Sequence, residues 1–213
     1  MFIEQPPQFF RQLYPRACWR MNASERAVYL TFDDGPIPEV TPWVLDILDK
    51  YKVKATFFMV GDNVNKYPEL LELIRSKGHR LGNHTYNHIG GLFCPSKKYL
   101  QNANKAAKLI KSNLFRPPRG WMKNSQYIRL RRHYTVIMWD LVTRDYSCHL
   151  NADDVFENVK RYTRNGSIIT FHDSLKSIDK LKTALPRSIE WLKQEGYEFK
   201  IFDENQQKSR HLK

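Results

Sequence analysis

The chain has 213 residues, 41% of them hydrophobic and 27% charged, enough for one domain with a full core. That composition excludes a disordered chain, and 9 Gly and 11 Pro exclude a fibrous or low-complexity one. Lys and Arg number 35 against 22 Asp and Glu, a net charge of +13, and the excess is local: Leu73 to Trp139 holds 14 basic residues and no acidic one. Such a stretch is either a solvated face or a means of steering anionic partners: nucleic acid, an anionic glycan or acidic headgroups.

The apolar runs, of which Ala55 to Val60 is typical, are strand-sized, far from the ~20 residues of a membrane helix. Three cysteines, Cys18, Cys94 and Cys148, form no Cys-x-x-Cys and argue for a reducing compartment. Glu4, Pro6, Pro7, Arg11, Pro15 and Arg16 interrupt the N-terminus, so no signal peptide is read and a cytoplasmic protein is expected. An extracytoplasmic one is the alternative if a leader has been removed.

In chain order, Ala27 to Phe32 reads as a strand. Thr41-Pro42 supplies an N-cap and a first-turn proline for a helix with Val44, Ile47, Leu48 and Tyr51 on one face. Ala55 to Val60 is a second buried strand, followed by a helix from Pro68 closed at Gly78. His79 to Asn83 reads as a strand, and Leu100, Ala103, Ala107 and Ile110 mark a helix. Leu114 to Arg116 and Tyr134 to Met138 are strand candidates around a helix near Tyr127 to Arg132. A helix through Val155, Val159 and Tyr162, a strand from Ser167 to Phe171, a helix through Leu181 to Leu192 and a strand from Tyr197 to Phe202 complete the series. This alternation predicts an α/β fold with a parallel sheet, a closed or nearly closed barrel of about seven β/α units. An open doubly wound sheet competes, but no Gly-x-Gly-x-x-Gly follows the first strand. A single domain is expected over 1–213: a core of about 27–202, an N-terminal segment 1–26 and a short polar tail. Phe9, Phe10, Leu13, Tyr14 and Trp19 of that segment are expected to plug the barrel floor rather than lie on a membrane.

Parallel folds collect sites at the C-terminal ends of strands, and polar residues stand there. Asp33-Asp34-Gly35-Pro36 ends the first strand: either an Asx turn, or two carboxylates that a nearby cation makes tolerable. His84 and His88, four apart, face one way in a helical turn and suit a metal, or are a pair of surface histidines. With Asp34 they form a two-His-one-carboxylate set that leaves positions for water and substrate. Arg116 follows a strand and His172 ends one; singly they read as a surface turn and a core histidine.

Thr31-Phe32-Asp33-Asp34-Gly35-Pro36, His84-Thr85-Tyr86-Asn87-His88, Arg116-Pro117-Pro118-Arg119-Gly120, Trp139 to Tyr146 and Thr170-Phe171-His172 together resemble the five ordered motifs of the polysaccharide deacetylases, the NodB-type domain of carbohydrate esterase family 4. The resemblance implies the distorted (β/α) barrel, a divalent metal (usually Zn2+, with Co2+, Ni2+ or Mn2+ as alternatives) and hydrolysis of N-acetyl, sometimes O-acetyl, groups on an amino sugar or polysaccharide. It implies Asp34, His84 and His88 as metal ligands, Asp33 as general base held by Arg116, and His172 as general acid oriented by Asp145. It also implies the Arg119 backbone N–H as oxyanion donor. Three positions depart from the family pattern. Arg119 replaces the usual Tyr; Val142 and Tyr146 replace the first Asp and the Trp of Asp-x-x-Asp-Trp; Thr170 replaces the usual Leu. Arg119, Tyr146 and Thr170 are therefore expected to border substrate, in an acyl pocket more polar than a plain methyl group needs. The expected partner is an N-acetylated glycan, neutral or anionic; no nucleic acid is expected, since aromatic and basic residues interleave too sparsely. The alternatives are a related carbon–nitrogen hydrolase on a non-sugar amide or cyclic imide, and a non-catalytic glycan-binding relative.

Overall fold

A computed structural model describes residues 4–203; the polar tail from residue 204, and residues 1–3, lie outside the described residues. The chain order is α1 (Gln8–Arg11), β1 (Ala27–Asp33), α2 (Thr41–Lys50), β2 (Thr56–Met59), α3 (Gly61–Lys66), α4 (Pro68–Ser76) and β3 (Arg80–Asn83). It continues with α5 (Ser96–Ile110), β4 (Leu114–Phe115), a 3-10 turn (Pro118–Gly120), α6 (Asn124–Leu130), β5 (Thr135–Val136) and β6 (Leu141–Val142). Then come α7 (Ala152–Tyr162), β7 (Ser167–His172), α8 (Ile178–Gln194) and β8 (Glu198–Phe199).

All pairings between strands of the described residues are parallel, in the order β5-β4-β3-β2-β1-β7-β6. β8 pairs with Ala27 and Val28, below Thr31, where the pairing of β1 with β2 begins. The sheet curls into the expected distorted barrel, with helices around it and β5 and β6 as its two edges. Every residue of β1 is buried, as a strand enclosed on both faces requires. Phe32 stacks on Phe57 at 5.1 Å and on Phe171 at 5.9 Å, tying the three central strands together.

The N-terminal segment crosses the gap between the edges. Cys18 N–H donates to Val136 O and Cys18 O accepts from Met138 N–H on one side, each at 2.8 Å. Met21 N–H donates to Gly166 O, and Val142 N–H to Glu4 O, on the other, again at 2.8 Å. Phe10, Tyr14 and Trp19 are buried against Phe115, Tyr127 and Trp139, whereas Phe9 and Leu13 are exposed. Below the seam Asp140 is fully buried and held by Arg11 at 2.6 Å, by Arg164 at 2.7 and 2.9 Å and by Ser167 Oγ at 2.9 Å. Burial opposes its ionisation, but these donors prevail and hold its pKa below the usual carboxylate value.

Two local expectations fail. Thr41 does not cap α2, whose N-cap residue is Val40. Its hydroxyl accepts from Ile37 N–H at 2.8 Å and donates to Asp173 Oδ2 at 2.7 Å, a long-range use that removes it from capping. His84 to His88 is not helical: Thr85 (φ +66°) and His88 (φ +52°) adopt left-handed conformations in a loop.

Candidate active site

Strand register brings the chemistry together. Asp33 of β1 pairs directly with His172 of β7, and one layer below, Thr31 pairs with Thr170, which pairs with Val142 of β6. Asn83 of β3 pairs with Phe115 of β4, so His84 and Arg116 leave their strands side by side.

Asp33 is 5% exposed and Arg116 1%. The Arg116 guanidinium donates to Asp33 Oδ1 at 2.6 Å, Thr31 Oγ1 at 2.8 Å, Met138 O at 2.8 Å and Ile137 O at 3.3 Å. Its face lies 4.1 Å from the Phe58 ring. A cation so enclosed is tolerable only with its donors satisfied and a carboxylate beside it, and the same bonds fix Asp33.

Asp34 has φ +82°, and a cis peptide bond joins Gly35 to Pro36. Gly35 N–H donates to Asp173 Oδ1 at 3.1 Å, and a Cβ at position 35 would fall 1.9 Å from Asp173 Oδ2, so only glycine fits. This turn carries Asp34 Oδ1 to 3.2 Å from His88 Nε2 and 3.7 Å from His84 Nε2.

The His84 Nδ1 lies 2.8 Å from Arg116 O, and a carbonyl can only accept, so Nδ1 carries the hydrogen and Nε2 presents a lone pair. Burial first, then neighbouring His88, drives the His84 pKa down to about 3, keeping the imidazole neutral as a ligand must be. Asp34 Oδ1 is buried and accepts no hydrogen bond, an orphan among the described residues. One ligand atom each from Asp34, His84 and His88 lies within 4.8 Å of the others. An orphaned carboxylate oxygen facing two imidazole nitrogens is a donor set that fits a divalent cation.

Beside this set stands an acid. Asp145, fully buried, accepts from His172 backbone N–H at 2.7 Å and from Nδ1–H at 2.8 Å. Burial alone would lower the His172 pKa; Asp145, by charge and hydrogen bond, outweighs it and raises the pKa to about 9. The Tyr146 ring meets the His172 ring edge-on at 4.7 Å.

These groups open on a cavity of about 710 Å³ lined by Asp33, Asp34, His84, His88, Arg119, Tyr146, Thr170 and His172. Arg116 and Asp145 lie behind the wall. Arg119 has φ +60° in the 3-10 turn and an exposed side chain. The Thr170 hydroxyl is engaged by Thr31 Oγ1 at 3.1 Å. Sequence reasoning missed other lining residues: Trp121, Trp139, Val142, Leu175 and Lys176. Trp139 carried a signal, an aromatic opening one of the motif segments; Leu175 and Lys176 carried none beyond following His172.

The sequence model of the polysaccharide deacetylase family matches residues 20–133. A Bacillus cereus protein named peptidoglycan-N-acetylglucosamine deacetylase is 32% identical over 189 residues, covering 85% of this chain and 88% of that relative. A Bradyrhizobium chitooligosaccharide deacetylase is 33% identical over 156 residues, 70% of this chain and 71% of that one. The crystal structure of the Bc1960 peptidoglycan N-acetylglucosamine deacetylase superposes with a TM-score of 0.81 at 29% identity, covering 92% of this chain and 95% of that one. A Bacillus anthracis chain described as a carbohydrate esterase family 4 pseudoenzyme superposes with a TM-score of 0.73 at 26% identity, covering 85% of this chain and 65% of that one. With its strand register, motif residues and these likenesses in agreement, the chain belongs to the polysaccharide deacetylase family, carbohydrate esterase family 4.

Proposed function

We propose that this protein is a metal-dependent hydrolase that removes N-acetyl groups from an amino sugar within a glycan or oligosaccharide. The observation that carries the reading is one cavity holding an Asp34–His84–His88 ligand set, an arginine-fixed carboxylate at Asp33 and an Asp145-bound imidazole at His172. A divalent cation in that set, for which two imidazoles and a carboxylate best suit zinc, supplies Lewis acidity toward the acetyl carbonyl and acidifies water. Asp33 Oδ1 is engaged by Arg116, which leaves Oδ2 to take the proton of the attacking water. His172, protonated through Asp145, gives its Nε2 proton to the departing sugar nitrogen, without which an amine is a poor leaving group. The Arg119 backbone N–H, by the family resemblance, would serve as donor to the developing oxyanion, a donor of a kind worth about 3–4 kcal/mol.

Relatives named for peptidoglycan-N-acetylglucosamine and chitooligosaccharide deacetylation support an N-acetylated amino-sugar substrate. Arg119 and Lys176 on the cavity wall favour an anionic glycan. The fold alone also serves a pseudoenzyme, so the case for turnover rests on the complete residue set. The test is free-amine release from chitooligosaccharides and peptidoglycan fragments, with zinc content measured alongside. Asp33→Asn is expected to abolish release while zinc content holds; undiminished release overturns the assignment.

A further inference from the structure

Seven large hydrophobic side chains stand exposed among the described residues, and six lie on three segments, the last of which touches both others: Phe9 and Leu13, Leu92 and Phe93, Trp121 and Ile128. Phe93 is 93% exposed and Phe9 69%. The contacts that join the segments are specific. Phe10 meets Trp121 edge-on at 4.5 Å, and Tyr14 Oη donates to Met122 O at 2.6 Å. Gly91 N–H donates to Trp121 O at 3.2 Å, and the buried Gln126 amide donates to Gly91 O and Cys94 O at 3.0 Å each. Exposed apolar side chains gathered on joined segments of a folded surface are a mark of an interaction site.

Its charge says which kind. Residues 5–24 contain no Asp or Glu, nor do residues 73–139, and these two acid-free stretches supply all three segments. Arg16, Lys97, Lys98, Lys123 and Arg129 are exposed on or beside them, with no ion-pair partner among the described residues. Apolar side chains interleaved with unpaired cations match a surface with an apolar interior and an anionic skin. A glycan would use ring faces; Leu13, Leu92 and Ile128 offer none. A nucleic acid would stack on aromatics, and half of the six are not aromatic.

We propose that this face docks on an anionic lipid bilayer, with Phe9, Leu13, Leu92, Phe93 and Ile128 at the acyl boundary and the five cations among the headgroups. Trp121 belongs both to this face and to the catalytic cavity, so docking holds the cavity mouth beside the headgroup layer. The inference does not depend on the catalytic reading, because its readout is binding.

The experiment is cosedimentation of the full chain with vesicles of phosphatidylcholine alone and of phosphatidylcholine mixed with phosphatidylglycerol. Partitioning is expected to be at least about tenfold stronger on the anionic vesicles and to weaken as salt rises. Phe93→Ser and the pair Lys97→Glu/Lys98→Glu are each expected to cut it about tenfold or more. Hydrolysis of a soluble chitooligosaccharide and the melting temperature should not move in either variant. The proposal is overturned by equal partitioning onto both vesicle types, by no partitioning, or by variants that bind vesicles as the wild type does. Loss of binding to insoluble peptidoglycan in these variants, with vesicle binding intact, reassigns the face to a glycan.

Discussion

Replacing Asp145 with Asn keeps shape and removes charge, and the consequence can be worked from the geometry. In the native protein Asp145 raises the His172 pKa to about 9 from an ordinary 6.5. Protonated His172 is thus favoured by folding, a contribution of order 3 kcal/mol that is full below about pH 6.5 and is lost as pH rises through about 9. Without the carboxylate, burial, the largest influence, pulls the imidazole down against the smaller upward pull of Asp34 and Asp33, and the group returns toward its ordinary value. At pH 8 the wild-type acid is then about nine-tenths protonated and the variant's about 3%, a ~30-fold loss in kcat/KM from protonation alone. At pH 6 the same argument gives less than about twofold. The assay is kcat/KM for amine release between pH 5.5 and 9.5 on both proteins. A ratio of wild type to variant that grows steeply between pH 6.5 and 9 is expected, on top of any constant loss of orientation. A ratio flat across that range would show that Asp145 does not hold the catalytic proton.

Asp34→Ala and His88→Ala are expected to weaken zinc by about a hundredfold or more, beyond what residues that only orient a ligand contribute; competition with a chelating dye measures this, and unchanged affinity removes the residue from the ligand set. Arg116→Met strands Asp33 as a buried, unpaired charge and should cost about 3–5 kcal/mol in denaturant unfolding; a negligible loss would mean that Asp33 is solvated. Asp173 sits buried behind the Asp33-Asp34-Gly35-Pro36 turn, and burial, aided by Asp34, lifts its pKa to about 8 against the Thr41 and Gly35 donors. Its folded carboxyl keeps a proton that the unfolded chain gives up, so wild-type stability falls by about 1.4 kcal/mol per pH unit between pH 4 and 8. Asp173→Asn, which has no such proton, should therefore gain on the wild type across that window in urea unfolding with EDTA; a stability gap equal at pH 5 and pH 8 refutes it.

The elements legible from sequence are those with enough residues to show a period. β1, with seven buried residues, is one such, and α8, with 17 residues and six buried on one face, is another. β6 has two residues and α3 has one buried aliphatic side chain, Val64; neither carries a pattern, and both exist because neighbouring strands and loops hold them. In the site, the residue types at strand ends were legible because the chemistry demands them. Their geometry was not. The His84–His88 spacing suggested a helical turn, yet the rings converge through two left-handed residues braced by Asn83 Oδ1, which accepts from Thr85 N–H at 2.8 Å. Thr41 looked like a cap because capping is local; its actual partner is 132 residues away.

The same distinction explains the charge. Composition showed an excess of cations in residues 73–139, for which a solvated face and a steering face were equal readings. Within that stretch the roles now separate by burial. Arg116 is enclosed and serves Asp33, and Arg119 stands on the cavity wall, while Lys97, Lys98, Lys123 and Arg129 face solvent. What no linear reading could supply is the company these four keep, because Phe9 and Leu13 come from a segment more than 75 residues earlier in the chain. Tyr14 and Phe10 bring that segment to Met122 and Trp121 by a hydrogen bond and a ring contact. Substituting Tyr14 with Phe would remove both the bond to Met122 O and the one accepted from Met122 N–H while keeping the ring packing, so it loosens the seam at a cost of about 1–3 kcal/mol. If the apolar and basic halves of the face act together, that change should weaken vesicle binding while leaving every cation in place. Unchanged partitioning would show that the cations bind without the N-terminal segment.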